Sequence, residues 1–310
     1  MTIPLQGTLA RPLKLSGVGL HSGCLVNCHI IPAGPNTGII FKRIDTEDSI
    51  PVKADPFNIT DTRLCTAIGS GTSKVSTIEH LMSAFVGLGI DNAYIEIDNE
   101  EVPILDGSAA PFYDQLSVVG VQAQNAPRKM YVSKKPFELK VGSSLIRIEP
   151  YHELRFECEI DFTEVSKAIG KQKLGVSYSE KLFTQICEAR TFCHVDDVTK
   201  MREMGLGRGG SLDNAVVVDD NKVMNGEGLR YTDEFVRHKL LDCIGDLALM
   251  GGRFQGKITL VRPGHSLHAE FTKAAMMNLR EYFEVSYGVE NTAVPGMESN
   301  LKLALAVNNT

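Results

Sequence analysis

The stretch that most constrains this chain runs from Thr232 to Gly252: Thr-Asp-Glu-Phe-Val-Arg-His-Lys-Leu-Leu-Asp-Cys-Ile-Gly-Asp-Leu-Ala-Leu-Met-Gly-Gly. Thr232 and the two acids after it suit the positive end of a helix dipole, with Thr232 as the expected cap, and the glycine pair suits a helix end. At about 100° per residue, Val236, Leu240, Cys243, Ile244 and Leu247 share one face, which marks that face as core. His238, Asp242, Gly245 and Asp246 fall opposite. A solvated face carries Lys and Glu; this one carries a histidine, two short acids and a gap. His238 and Asp242 are one turn apart, so both can point at a single metal ion. Such a pair is common without a metal, and its weight comes from the rest of the chain.

Three hundred and ten residues allow two domains or one large one. A net charge of -6 excludes a general nucleic-acid binder, while a local basic site for one phosphorylated ligand stays open. Residues 1–15 hold no apolar signal core, and no apolar run is long enough for a membrane span. Seven scattered cysteines, an odd number, suit reduced thiols in a cytoplasmic protein. Cys24, Cys28 and His29 lack the spacing of a metal motif; Cys24, Val26, Cys28 and Ile30 alternate as one buried strand face.

The N-terminal part reads as strands around the glycine turn at 17–23, whose glycines do not fit a dinucleotide loop. Ser76 and Glu79, in capping-box spacing, open a helix with Ile78, Leu81, Met82 and Phe85 inward. His80 points away from that stripe among Ser83, Ala84 and Gly87, small residues that let another element approach. Gln122–Pro127 is polar and proline-ended, the expected connection between a domain of residues 1–125 and one of residues 126–310. Strands are expected at 129–132, 144–149, 154–162, 215–219 and 257–262. Ser177 and Glu180 form a second capping box, Val195–Gly210 is amphipathic then glycine-rich, and a last helix spans Leu267 to Leu279. From about Val289 the chain turns polar.

Two histidines and a carboxylate, His80, His238 and Asp242, leave open positions on a metal, and zinc so held lowers the pKa of bound water to about 7. Glu79, next to His80, suits a general base; taken alone it is a capping residue. His265, presented by the Pro263-Gly264 turn, suits a proton donor, and Asp246 is placed to keep it protonated. A loop histidine and a surface acid are the plain readings of those two. This is a hydrolase's set of groups.

Ser76-Thr-Ile-Glu-His80, Gly87-Leu-Gly-Ile-Asp-Asn92, Pro103-Ile-Leu-Asp-Gly-Ser108, Ala189-Arg-Thr-Phe192, Gly209-Gly-Ser211, Val236-Arg-His-Lys239, Asp242 to Asp246 and Gly264-His265 follow one another in order. In these motifs the chain resembles the UDP-3-O-acyl-N-acetylglucosamine deacetylases, zinc amidases of lipid A and hence lipopolysaccharide synthesis, from about Leu5 to Val285. The resemblance implies an α+β fold of two similar domains, each a helix layer on a sheet, with the site between them. It implies zinc ligands at His80, His238 and Asp242, a base at Glu79, and an acid at His265 paired with Asp246. It also implies an oxyanion-assisting Thr191, Phe162 beneath uracil, and Lys239 and Arg262 near the phosphates. The substrate would be a UDP-3-O-acyl-glucosamine, and a cytoplasmic monomer is expected.

Two places depart from the family pattern. Cys193 and His194 stand where a glycine and an aromatic are usual, and Ser266-Leu267-His268 where Ala-Leu-Asn is usual. The acyl passage is expected in the insert at about 193–214, lined by Phe192, Val198 and Met201. Two other readings compete: a 2-His-1-carboxylate Fe(II) enzyme with Fe²⁺ in place of Zn²⁺, and a non-catalytic nucleotide-sugar binding protein with a structural metal. The first lacks a use for an adjacent base and acid; the second needs a fourth protein ligand.

Overall fold

Period-two burial builds the first sheet. In the strand Leu25–Pro32, Val26, Cys28 and Ile30 are buried while Leu25 and Asn27 face solvent. Cys24 lies before the strand and is exposed, so it does not share that buried face. The computed structural model describes residues 4–287, and the polar stretch from Val289 lies outside them. The five-stranded sheet runs Leu13–Val18, Leu25–Pro32, Ala93–Ile97, Ile39–Arg43, Val52–Lys53, with Ile39–Arg43 parallel to Ala93–Ile97 and the other pairs antiparallel.

The second sheet has seven strands centred on Arg253–Val261, which starts four residues earlier than its apolar pattern suggests. Its first three residues pair in parallel with Met130–Ser133. The remainder lies between Leu154–Asp161, parallel, and Ser144–Glu149, antiparallel. Residues Gln122–Pro127, read as a polar connection, belong to the strand Val121–Pro127, antiparallel to Leu5–Leu9. Their polar side chains made the pattern look broken: Gln124 bonds to the Ala33 carbonyl and to Asn92.

Among the described residues the helices are α1 (Glu79–Leu88), α2 (Ala110–Val119), α3 (Glu180–Ile186), α4 (Val195–Glu203), α5 (Glu234–Leu247), α6 (His265–Met277) and α7 (Leu279–Tyr282). With the two sheets they make the fold α+β. None of the expected N-caps forms. Asp233, not Thr232, precedes α5, and its carboxylate takes Arg237 Nε at 2.6 Å. Ile78 precedes α1, Ser76 Oγ donates to the Glu100 carbonyl, and Glu79 turns inward. Ser179 rather than Ser177 caps α3, through its hydroxyl and Leu182 N–H. Three-residue spacing finds a cap only where no tertiary partner competes for the side chain. Helix α4 stops at Glu203 because Gly205 and Gly207 adopt φ of 77° and 65°.

Helices α1 and α5 pack against each other, and each is buried nearly all round. The face of α5 opposite its core stripe is therefore an interior between helices. Gly245 permits this: a Cβ there would sit 2.0 Å from the Glu79 carbonyl oxygen. That oxygen belongs to the helix carrying His80 and has nowhere to retreat. Gly245→Ala is expected to cost about 1–3 kcal/mol, by overpacking two backbones. Urea unfolding measures it; a midpoint equal to wild type would show that the contact has slack.

Candidate active site between α1 and α5

Helix periodicity brings His238, Asp242 and Asp246 into line, one turn apart on α5. The first turn of α1 adds Glu79 and His80. His80 Nε2 lies 3.6 Å and His238 Nε2 3.3 Å from Asp242 Oδ1. The three ligand atoms are all within 4.8 Å of one another. His238 Nδ1 donates to the Ala189 carbonyl at 3.0 Å; a carbonyl only accepts, so Nε2 keeps its lone pair toward the centre. Burial pushes the His238 imidazole down to about 3, which keeps it neutral.

Asp242 divides its two oxygens. Oδ2 accepts from Lys239 Nζ at 2.9 Å, whereas Oδ1 is buried without a hydrogen-bond partner. Burial opposes the charge on Asp242, but the Lys239 ammonium beside it helps hold the carboxyl well below the usual range. A buried anionic oxygen with no donor, faced by two imidazole Nε2 atoms, is costly unless a cation joins them. Two imidazoles and a carboxylate suit a divalent transition ion, and that donor set admits both zinc and iron(II).

Around this cluster lies a second set. Glu79, 3 % exposed, accepts the Thr66 N–H at 3.0 Å through Oε2. Burial raises its pKa, with His265 and His80 opposing. His265 Nε2 stands 3.9 Å from Glu79 Oε1 and 4.0 Å from Asp242 Oδ2, while Nδ1 donates to Asp246 Oδ2 at 2.8 Å. Burial disfavours an imidazolium here, yet Asp246 and Glu79 more than offset it and lift His265 to about 9. Asp246 is in turn held at about 2: burial works against its charge, and His265 and His268 overcome this. Its Oδ1 accepts the Thr66 hydroxyl at 2.6 Å. A carboxylate and a protonated imidazole thus face the same space beside the ligand cluster.

A third group fixes the loop that bears Thr191. Arg190, 2 % exposed, meets Glu234 of α5, which is fully buried, through its backbone N–H, Nε and Nη2, at 3.0, 2.9 and 3.2 Å. This joins the segment carrying Thr191, and the Ala189 carbonyl that orients His238, to the helix bearing His238. Thr191 itself is held by its N–H on the Gly107 carbonyl. The Phe192 ring lies 6.1 Å from that of His238 and 5.6 Å from that of Phe162. Lys239 Nζ is 5.4 Å over Phe192 and committed to Asp242.

The other three expected residues take different surroundings. Arg262, 43 % exposed, pairs with Asp161 at 3.0 Å. Val198 and Met201 are half-buried on α4, a helix with no fully buried residue. His194 caps α4 by accepting the Asp196 N–H and lies 3.1 Å from Asp220. Burial pushes the Cys193 thiol up to about 11.

Three participants were not legible as such. Thr66 ties Glu79 to Asp246 with one backbone N–H and one hydroxyl, and no motif surrounds it. His21, read only as part of a glycine turn, is 8 % exposed with both ring nitrogens unpartnered. Its backbone N–H is held by Glu101. Burial lowers its pKa, with Glu101 opposing and the nearby charge of His265 lowering it further. His268 was noted only as a departure from the family pattern, yet it donates to Asp246.

The LpxC family model, described as UDP-3-O-acyl N-acetylglycosamine deacetylase, matches residues 6–277. The chain belongs to that family. It is also similar to the UDP-3-O-acyl-N-acetylglucosamine deacetylase of Acidithiobacillus ferrooxidans, 44% identical over 283 residues, which cover 91% of this chain and 93% of the relative.

Removing any one of His80, His238 or Asp242 leaves two donors where the geometry offers three. Each alanine variant is expected to lose about one equivalent of divalent metal, against a wild type holding about one. Metal analysis of dialysed protein measures it, and full occupancy in all three would place the ion elsewhere.

Proposed function

We propose that the space between α1 and α5 hydrolyses the 2-acetamido group of a UDP-3-O-acyl-N-acetylglucosamine, releasing acetate and a free amine in lipid A synthesis. Membership of a deacetylase family makes the chain a deacetylase; the roles of individual residues are our reading. What carries it is one juxtaposition: a base of raised pKa and an imidazolium, 3.9 Å apart, beside a buried acceptor that lacks a donor. His80, His238 and Asp242 would hold a zinc ion, which when bound polarises a carbonyl and lowers the pKa of water to about 7.

Glu79 takes the proton of the attacking water. The role of a neutral donor falls to Thr191, whose hydroxyl stabilises the oxygen that gains charge as the amide carbonyl becomes tetrahedral. His265 then gives its Nε2 proton to the departing amine nitrogen. Asp246, bonded to Nδ1, keeps the ring turned so that this proton faces the site. The amide C–N bond breaks, the carboxylate product leaves as acetate, and one water is consumed. Phe162 would support uracil and Arg262 a phosphate, whereas Lys239, bonded to Asp242, serves the reaction centre. No described helix is long and apolar enough to cross a membrane.

An iron(II) oxygenase would use the same three ligands, but it has no use for a matched base and acid. A purely structural ion would take a fourth protein ligand.

Activity requires Glu79 ionised and His265 protonated. It should therefore fall as pH drops through the raised pKa of Glu79 and fall again as pH rises through about 9. In kcat/KM profiles for acetate release, Glu79→Gln should flatten the acidic limb and His265→Ala the basic one, each losing about 10²-fold or more. Unchanged limbs in both variants would move the assignment to other residues.

The half-buried apolar side of α4 is where we place the fatty acyl chain, with Phe192 at its inner end. A buried methylene is worth about 0.8 kcal/mol, so Val198→Glu or Met201→Glu should lose more kcat/KM as the acyl chain lengthens. Parallel plots of kcat/KM against chain length for variant and wild type would put the chain elsewhere.

A further inference from the structure

His268 stands one turn along α6 from His265. It is fully buried, and its Nδ1 lies 2.8 Å from Asp246 Oδ2, the same oxygen that accepts from His265 Nδ1 at 2.8 Å. A carboxylate only accepts, so His268 Nδ1 carries a proton and donates. Its other ring nitrogen, Nε2, is buried without a partner. A buried polar atom left unsatisfied is a cost, and an apolar side chain would avoid it. The ring is therefore not explained as filler.

Asp246 receives three donors: the Thr66 hydroxyl on Oδ1, and two imidazole N–H groups on Oδ2. With one donor on each oxygen the carboxylate could still swing about its last bond. Two rings on one oxygen and a hydroxyl on the other fix both its plane and the lone pairs left to His265. We propose that His268 is a positioning residue for the deacetylation, setting through Asp246 the direction in which His265 delivers its proton. This rests on the reading of His265 as the acid.

The geometry yields a discriminating pair of variants. Both Nδ1 of histidine and the amide nitrogen of asparagine are bonded to Cγ, so His268→Asn keeps a donor in the same place while removing most of the ring. His268→Phe does the reverse: it keeps the ring and removes the donor. If the bond matters, H268N should retain kcat within about 3-fold, and H268F should lose about 10- to 100-fold in kcat with KM little changed, the size expected for a misaligned reacting group. If only volume matters, the order inverts. His268→Gln, which moves the amide one carbon outward, should behave as H268F and serves if H268F does not fold.

Crystal structures of the variants give an arm that needs no turnover. Asp246 Oδ2 should stay 2.8 Å from His265 Nδ1, as in the wild type, in H268N, and that contact should be broken or rotated in H268F or H268Q. Full kcat in the donorless variants, or an unmoved Asp246 in their structures, overturns the proposal. A wild type that releases no acetate overturns the deacetylase reading instead, and the structural arm still decides on His268.

Discussion

Two helix backbones touch where Gly245 meets the carbonyl of Glu79, and the whole reacting centre depends on that closeness. It puts the first turn of α1 against the middle of α5, so that residues from each reach one another with short side chains. Aspartates and histidines have few rotatable bonds, which fixes their heads once the backbones are fixed. A side chain at 245 would separate the helices and spoil the overlap of His80 with His238 and Asp242. The centre's geometry is thus set by a missing Cβ more than by any bond within it.

Closeness also makes the electrostatics collective. Glu79, Asp242 and Asp246 are all buried, and three carboxylates in so small a space would repel one another strongly. Lys239 and His265 supply the compensating protons, and His265 faces all three acids. The same burial that raises Glu79 is overcome at Asp246 by two imidazoles. One apolar setting thereby gives carboxyls with opposite tendencies, a base that accepts a proton readily and an anchor that does not.

That His80, His238 and Asp242 meet, with Glu79 and His265 beside them, was legible because these residues obey local rules. His238 and Asp242 are a turn apart, Glu79 adjoins His80, and His265 follows a proline-glycine turn. The main strands followed from alternation for the same reason, whereas the α+β class was implied by the family resemblance and not by any periodicity. Thr66 was invisible: what it does depends on the neighbours of residues thirteen and 180 positions away, and a lone threonine beside a short strand has no pattern. The capping boxes failed oppositely, with a local pattern present and a tertiary partner winning. Gln122–Pro127 misled because Gln122 and Asn125 are exposed and Gln124 is spent on bonds to Ala33 and Asn92, leaving no hydrophobic alternation to see.

The residues that would hold the ion are numbers 80, 238 and 242, so no unfolded stretch of chain can present them together. An ion with affinity for the folded centre alone stabilises the folded protein by RT ln(1 + [ion]/Kd), about 2.7 kcal/mol at one hundred times Kd. With that site filled, the folded fraction would depend on metal supply. In a cell short of such an ion the protein would lose resistance to proteolysis, so the amount of enzyme would track the supply of the ion the site would hold.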